Sequence, residues 1–226
     1  MGDIWFITGT DTGVGKTVFT VLLTRYLRSI GVFVRAVKPL CSGGREDAVL
    51  LQEAQAGEIS LDAVNPWHFR KPIAPVLAAR QERRQVSKDA VLDFLRQSAR
   101  KCDLLLVEGA GGLLSPLGED YSNRELIVGL RARPWIVCPD QLGAVGRARL
   151  VLAALSPAIK RTAQVVLMGQ KPADPSARWN AALLGESVSG DRVHTLPHQV
   201  WPIAGAGSKV RPSRLNFINP FLQQLR

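Results

Sequence analysis

Apolar residues along this chain fall into two alternating patterns. Short unbroken runs occur at DIWFIT (3–8), VFVRAVKPL (32–40), DLLLVEGAGG (103–112), RPWIVCPD (133–140), AQVVLMGQ (163–170) and RVHTLPH (192–198). Between them, apolar positions recur every three to four residues in KTVFTVLLTRYLRSIG (16–31), REDAVLLQEAQAG (45–57), SKDAVLDFLRQSARK (87–101), GAVGRARLVLAAL (143–155) and SARWNAALLG (176–185). The first pattern predicts strands buried on both faces and the second predicts helices. Gly31 is a candidate C-cap and Ser87 a candidate N-cap. PWHFRKPIAP (66–75) is rich in proline and reads as an ordered loop. Strand and helix alternate to the end, with no repeat and no linker. The expected fold is therefore α/β: one domain over 1–226, with a parallel sheet and helices on both faces.

Composition narrows the class. The chain has 226 residues, 46% apolar and 21% charged, enough for a core and unlike a disordered chain. Its net charge of +10 and pI near 10.2 favour anionic ligands. The basic residues are dispersed, so neither nucleic acid nor a membrane is an expected partner. Three cysteines, Cys41, Cys102 and Cys138, have no close spacing that suggests zinc or a redox pair. MGDIWFITG carries no basic segment before its apolar run, and no apolar run is long enough to cross a bilayer. These features predict a cytoplasmic protein.

The chemistry is concentrated where the first strand ends. FITGTDTGVGKT places Gly9, five residues, then Gly15-Lys16-Thr17 between a strand and a helix. The common phosphate loop has four residues in that gap, so this one is a residue longer. The physics is unchanged: glycines let backbone N–H groups face a phosphate, and the helix N-terminus favours negative charge. Lys16 can reach the β- and γ-phosphates, and the Thr17 hydroxyl can ligate Mg²⁺. Such a site needs acids for its metal. Glu108 ends a buried strand before GAGG, at the edge where α/β sheets bind ligands. Asp47 opens a helix after a Gly-Gly turn, and taken alone it reads as a helix cap. His194 and His198 stand four apart but straddle a strand end, which does not suit a metal.

GTDTGVGKT, KPLCSG, EDA, VNPWHF and VEGAGGLLSPL occur in that order, and together they resemble the dethiobiotin synthetase family. The match runs from Ile4 to about Pro116 and weakens beyond Gly146. The resemblance implies an ATP-dependent cyclo-ligase of biotin biosynthesis, acting on 7,8-diaminononanoate, CO2 and a nucleoside triphosphate with Mg²⁺. It also implies a homodimer with substrate sites at its interface. Carried over by residue, Lys16, Lys38 and Thr12 would flank the transferring phosphoryl group. Ser42 and Gly111 would meet the diamine, and backbone N–H groups of Ala144, Val145 and Gly146 would take its tail carboxylate. Thr17, Asp47 and Glu108 would hold the metal. Gly13, Val14, Gly15, Lys16, Thr17 and Val18, with Asp47 and Glu108–Gly111 (Gly109, Ala110), would hold the nucleotide's phosphates. Gly169, Pro197 and His198 would lie against its base. Taken alone, Lys38 is a strand-end lysine, Ser42 a turn residue and Cys41 a packing residue.

The chain departs from the family at three places. Gly146 and Arg147 stand where many members have Asn-His; Arg147 or Arg149 would add charge for the substrate tail. Met168, Gly169 and Gln170 stand where a strand-end Asn reads adenine, which predicts loosened base selectivity. Gly13 replaces an acid found in some members. An alternative function is a partitioning or positioning ATPase acting on DNA or membrane. Thr10, Asp11 and Thr12 lack the early-loop lysine such proteins usually carry. A glutamine-dependent amidoligase would need a glutaminase domain for which the chain is too short.

Overall fold

A computed structural model describes residues 2–198. Six parallel strands form the main sheet: β1 (Asp3–Gly9), β2 (Val34–Val37), β5 (Leu104–Glu108), β6 (Arg133–Asp140), β7 (Gln164–Gly169) and β8 (Val193–Leu196). Their spatial order is β2-β5-β1-β6-β7-β8. A second, two-stranded sheet pairs β3 (Leu40–Ser42) with β4 (Trp67–Phe69), also in parallel. The helices are α1 (Lys16–Ser29), α2 (Glu46–Ala54), α3 (Leu61–Val64), α4 (Pro75–Gln81), α5 (Lys88–Ala99), α6 (Asn123–Leu130), α7 (Ala144–Ala153), α8 (Pro157–Lys160) and α9 (Ala177–Gly185). No helix among the described residues is long and apolar enough to cross a membrane.

The unbroken apolar runs are explained by two cores, one on each face of the sheet. Trp5 and Ile7 pack with Phe19, Leu23 and Leu27 of α1 and Leu51 of α2. Their neighbours Ile4 and Phe6 point the other way, into a core shared with Leu95 of α5, Leu126 of α6, Ala148 of α7 and Leu184 of α9. Each strand residue therefore meets an apolar layer whichever face it takes. β5, β6 and β7 split in the same way, with Leu104, Trp135 and Val166 on one side and Leu105, Ile136 and Val165 on the other.

Two local expectations are corrected. VFVRAVKPL is not one strand: β2 ends at Val37, and Leu40 starts β3 in the other sheet. Pro39 lacks the N–H that would continue a ladder, and the Lys38 N–H bonds instead to Val64 O at 2.9 Å. PWHFRKPIAP contains β4, and Pro75 is the first residue of α4 rather than the end of a loop. Ser87 caps α5 as expected, accepting from the Ala90 N–H. Gly31 lies just past α1 at φ 84°, and Val32 N reaches back to Leu27 O at 3.0 Å.

The strand order places β1 at the switch point. After β1 the chain builds β2 and β5 on one side, then β6, β7 and β8 on the other. A crevice opens beyond the carboxyl end of β1, where connections leave in opposite directions. The loop bearing Lys16 starts there.

Candidate active site

The loop from Gly9 to Thr17 takes a path that only its glycines permit without strain. Gly13 and Gly15 have φ of 72° and 97°, in the left-handed region. Gly15 then caps α1, whose first turn carries no acid to compete for an anion. The Lys16 ammonium folds back to Asp11 O at 2.9 Å. Its residue is 7% exposed. Burial pushes the Lys16 pKa down to about 8, and Lys38 adds to that effect, while Glu108, Asp47 and Asp11 oppose it.

Thr17, Lys38, Asp47 and Glu108 converge beside this loop. Glu108 is fully buried at the end of β5, and its Oε1 accepts from Thr17 Oγ1 at 2.8 Å and from Lys38 Nζ at 2.8 Å. Lys38 also donates to Asp47. Burial works against charge on Lys38, but Glu108 and Asp47 outweigh it and hold its pKa well above the usual lysine value. Burial likewise opposes charge on Asp47, and Lys38 reverses the effect, so its pKa lies below the usual carboxylate value. Asp47 is therefore an ion-pair partner and not a helix cap: Arg45 occupies the N-cap position of α2, which has no side-chain cap.

The residues present fit a divalent cation. Glu108 Oε2 is buried and finds no hydrogen-bond partner among the described residues. An orphaned carboxylate oxygen in the interior is costly. It lies in a hard-oxygen set with the Thr17 hydroxyl and Asp47. The set has only two carboxylates and a hydroxyl, and no metal-holding group of three or more His, Cys, Asp or Glu occurs among the described residues. Few protein ligands, with the remainder from phosphate and water, suit Mg²⁺.

Two adjoining cavities share Thr12, Lys38, Asp47 and Gly111. The smaller, of about 250 Å³, is bordered by Gly13, Gly15, Lys16, Thr17, Val18 and Glu108. The larger, of about 550 Å³, is bordered by Ser42, Ala110, Ser115 and the proline-rich turn at 72–75. Lys38 thus stands where the two cavities meet. Cys41 is on the wall of the larger cavity, its Sγ donating to Gly44 O at 3.0 Å, and burial raises its pKa. Val14 turns inward into the core beneath the loop.

Other expected residues lie apart from this centre. Ala144, Val145 and Gly146 form the start of α7 and border neither of the two cavities. Arg147 donates to Leu142 O at 3.2 Å, and its Nε is buried without a hydrogen-bond partner among the described residues. Gly169, Pro197 and His198 do come together. A Cβ added at Gly169 would fall 2.6 Å from His198 N, so this strand end admits no side chain unless the backbone moves. The Met168 side chain reaches the loop beside Gly15, and the Gln170 amide turns back to Met168 O at 2.6 Å.

Four positioning residues were not expected from the sequence. Asn123, fully buried, donates from Nδ2 to Ala110 O at 2.8 Å and Gly112 O at 2.7 Å, and so holds the glycine turn after Glu108. Ser122 and Glu125 form a capping box at the start of α6, a signal that was present as S-x-x-E. Asn65 donates to Lys38 O at 2.7 Å and accepts from Arg45 Nε at 3.1 Å, fixing the backbone that carries Lys38. It lies within VNPWHF, but asparagine before proline first suggests a turn.

A family model described as an AAA domain matches residues 4–199. The ATP-dependent dethiobiotin synthetase BioD of Anaeromyxobacter sp. strain Fw109-5 is 38% identical over 198 residues, covering 85% of this chain and 89% of that protein. The chain belongs to the dethiobiotin synthetase family. Another family member, from Methanocaldococcus jannaschii, is 34% identical over 154 residues, covering 66% of this chain and 72% of its own. At 85% of the chain, the similarity to the Anaeromyxobacter protein extends well past Pro116. Solved structures with the same fold include the pNOB8 ParA bound to nonspecific DNA (14% identity, TM-score 0.57, 99% of each chain) and the MinD cell division protein of Aquifex aeolicus (15%, 0.56, 99% of this chain and 98% of that one). At such identities they share the architecture alone.

Proposed function

We propose that this chain makes dethiobiotin from 7,8-diaminononanoate, CO2 and a nucleoside triphosphate. One amine adds to CO2 and loses a proton, giving a carbamate. A carbamate oxygen then attacks the γ-phosphorus, and the nucleoside diphosphate leaves. The second amine attacks the carbonyl carbon of the resulting carbamic-phosphoric anhydride, releasing phosphate and closing the cyclic urea. The step that needs most help is phosphoryl transfer onto an anion, which is dominated by positioning and charge neutralisation.

The observation that carries this reading is the placement of Lys38 between the two cavities, paired to the acids beside Lys16. Lys16 and the backbone from Gly13 to Val18 hold the phosphates on one side. Thr12, Ser42 and Gly111 orient the diamine on the other. Thr17, Asp47 and Glu108 would hold Mg²⁺, which when bound neutralises charge on the phosphates. Gly109 and Ala110 border the nucleotide beside Glu108. Gly169, Pro197 and His198 face the base mainly with backbone groups, so base selectivity is loose.

The same reading includes a homodimer. Leu142, Leu150 and Leu114 are 80%, 73% and 56% exposed, and the last two border an open cavity of about 370 Å³ beside Thr10 and Asp11. A second copy covering this face would bring the start of α7, with Ala144, Val145 and Gly146, to the tail of a bound substrate.

Incubating the purified chain with diamine, bicarbonate, Mg²⁺ and each triphosphate, and scoring dethiobiotin by mass, tests the reaction. Absence of a cyclic urea with every triphosphate would overturn it.

A further inference from the structure

The larger cavity has three charged side chains on its wall: Lys38, Asp47 and Glu46. Lys38 and Asp47 are paired with each other. The Glu46 side chain makes no hydrogen bond or ion pair with another described residue. It is the first residue of α2, one position before Asp47, yet the two carboxylates serve different surroundings. Asp47 turns to Lys38, whereas Glu46 bends back over the Gly43-Gly44 turn. A Cβ added at Gly44 would lie 1.8 Å from Glu46 Oε2, so the carboxylate occupies space that a side chain at position 44 would fill.

A favourable interaction with the helix dipole accounts for an acid in the first turn of α2. Glu46 is also exposed to solvent, and its place on the wall of the larger cavity sets it beside Lys38 and Asp47. With Lys38 already neutralised by Asp47 and Glu108, Glu46 leaves this wall negative and favourable to a cation. Opposite charges are thus offered to one ligand, with Lys38 at the inner end and Glu46 nearer the mouth. The substrate in the reaction above has the matching pattern once one amine has become a carbamate anion, because an alkylamine is an ammonium ion at neutral pH.

Resting on that reading, we propose that Glu46 is a specificity-determining residue that binds the amine not carried as the carbamate. It selects a diamine over a monoamine and orients the pair so that the carbamate faces Lys38. Ser42, Thr12 and Ser115 add to the polar lining, and Ile73 and Pro116 accept the aliphatic chain.

The test compares wild type with Glu46→Gln and Glu46→Asp, using 7,8-diaminononanoate and the two monoamine analogues that each lack one amine. Binding is measured by calorimetry and turnover by mass. Loss of one charge-assisted contact weakens the diamine by about tenfold in Glu46→Gln. The rise appears in KM, with kcat at saturation nearly unchanged. One monoamine, the analogue without the recognised amine, binds both proteins alike. ATP affinity and thermal melting stay at wild-type values, and Glu46→Asp recovers part of the diamine affinity. If wild type forms the ring and Glu46→Gln matches it in KM for the diamine, this inference falls and the reaction stands. If wild type neither binds nor cyclises the diamine, both fall.

Discussion

At one end of the crevice, Lys16 and Thr17 of α1, Lys38 just after β2, Asp47 of α2 and Glu108 of β5 come together, the last four joined by hydrogen bonds through Glu108 and Lys38. At the other, β7 stops at Gly169 and the chain after β8 lies directly on it, leaving no space for a side chain. The first end is organised by charge and the second by close approach of backbone. That contrast explains how the two can diverge independently. Replacing a member of the charged set leaves its partners buried and uncompensated, whereas the base end is defined mainly by shape. The family residues that read most clearly belong to the first end, and the departures at Met168, Gly169 and Gln170 belong to the second.

The sharpest break in this contrast is Lys38→Met. Removing the cation between the two cavities lowers turnover by about 10³-fold, the effect expected when a preorganised charge is lost from a phosphoryl-transfer site. Turnover within tenfold of wild type would show that Lys16 suffices. Next is Glu108→Gln, which removes the buried anion from Lys38. Breaking one partner of a buried pair costs about 3 kcal/mol of stability, readable as a lower urea midpoint without nucleotide. An unchanged midpoint would mean that Asp47 alone compensates Lys38.

The two ends also titrate differently. His194 on β8 is buried, with Gln164 Oε1 2.9 Å from its Nε2, and burial lowers its pKa to about 4. An unfolded histidine keeps a pKa near 6.5, so as pH falls through 6.5 the unfolded chain binds the proton first. Stability is then lost progressively down to about pH 4, by up to about 3 kcal/mol. Asp47 works in a lower window. Its contribution is present above its ordinary value of 3.8 and is lost as pH falls through the depressed folded value. Urea titrations from pH 7 to 4 of wild type and His194→Gln resolve the first window, and the variant flattens the decline. The smallest effect is at the base end: ATP, GTP and CTP support turnover with kcat/KM values within about tenfold of one another, a span of 1.4 kcal/mol. A strict ATP preference would place a base-reading group at this end.

Much of the architecture was legible because strands buried on both faces leave unbroken apolar runs. DIWFIT, DLLLV and WIVC read as strands for that reason. VFVRAVKPL did not divide itself: the break at Pro39 is resolved by Val64 and Asn65, which belong to a later segment and capture the backbone around Lys38. The glycine loop and Glu108 were likewise readable from residue type and position. Asn123 was not, since an asparagine at a helix start is ordinary until its amide is found inside the turn that follows Glu108.

By itself the sequence determined the alternation of strand and helix, the phosphate loop and the family, because periodicity and residue spacing are local properties of the chain. The tertiary structure decided that Lys38 lies between Asp47 and Glu108, that Gly169 is shut by His198, and that Glu46 stands unpaired on the cavity wall. Each depends on distances between segments far apart in the chain. Electrostatics and steric exclusion act through space, so such pairings exist only once the sheet has set its strand order.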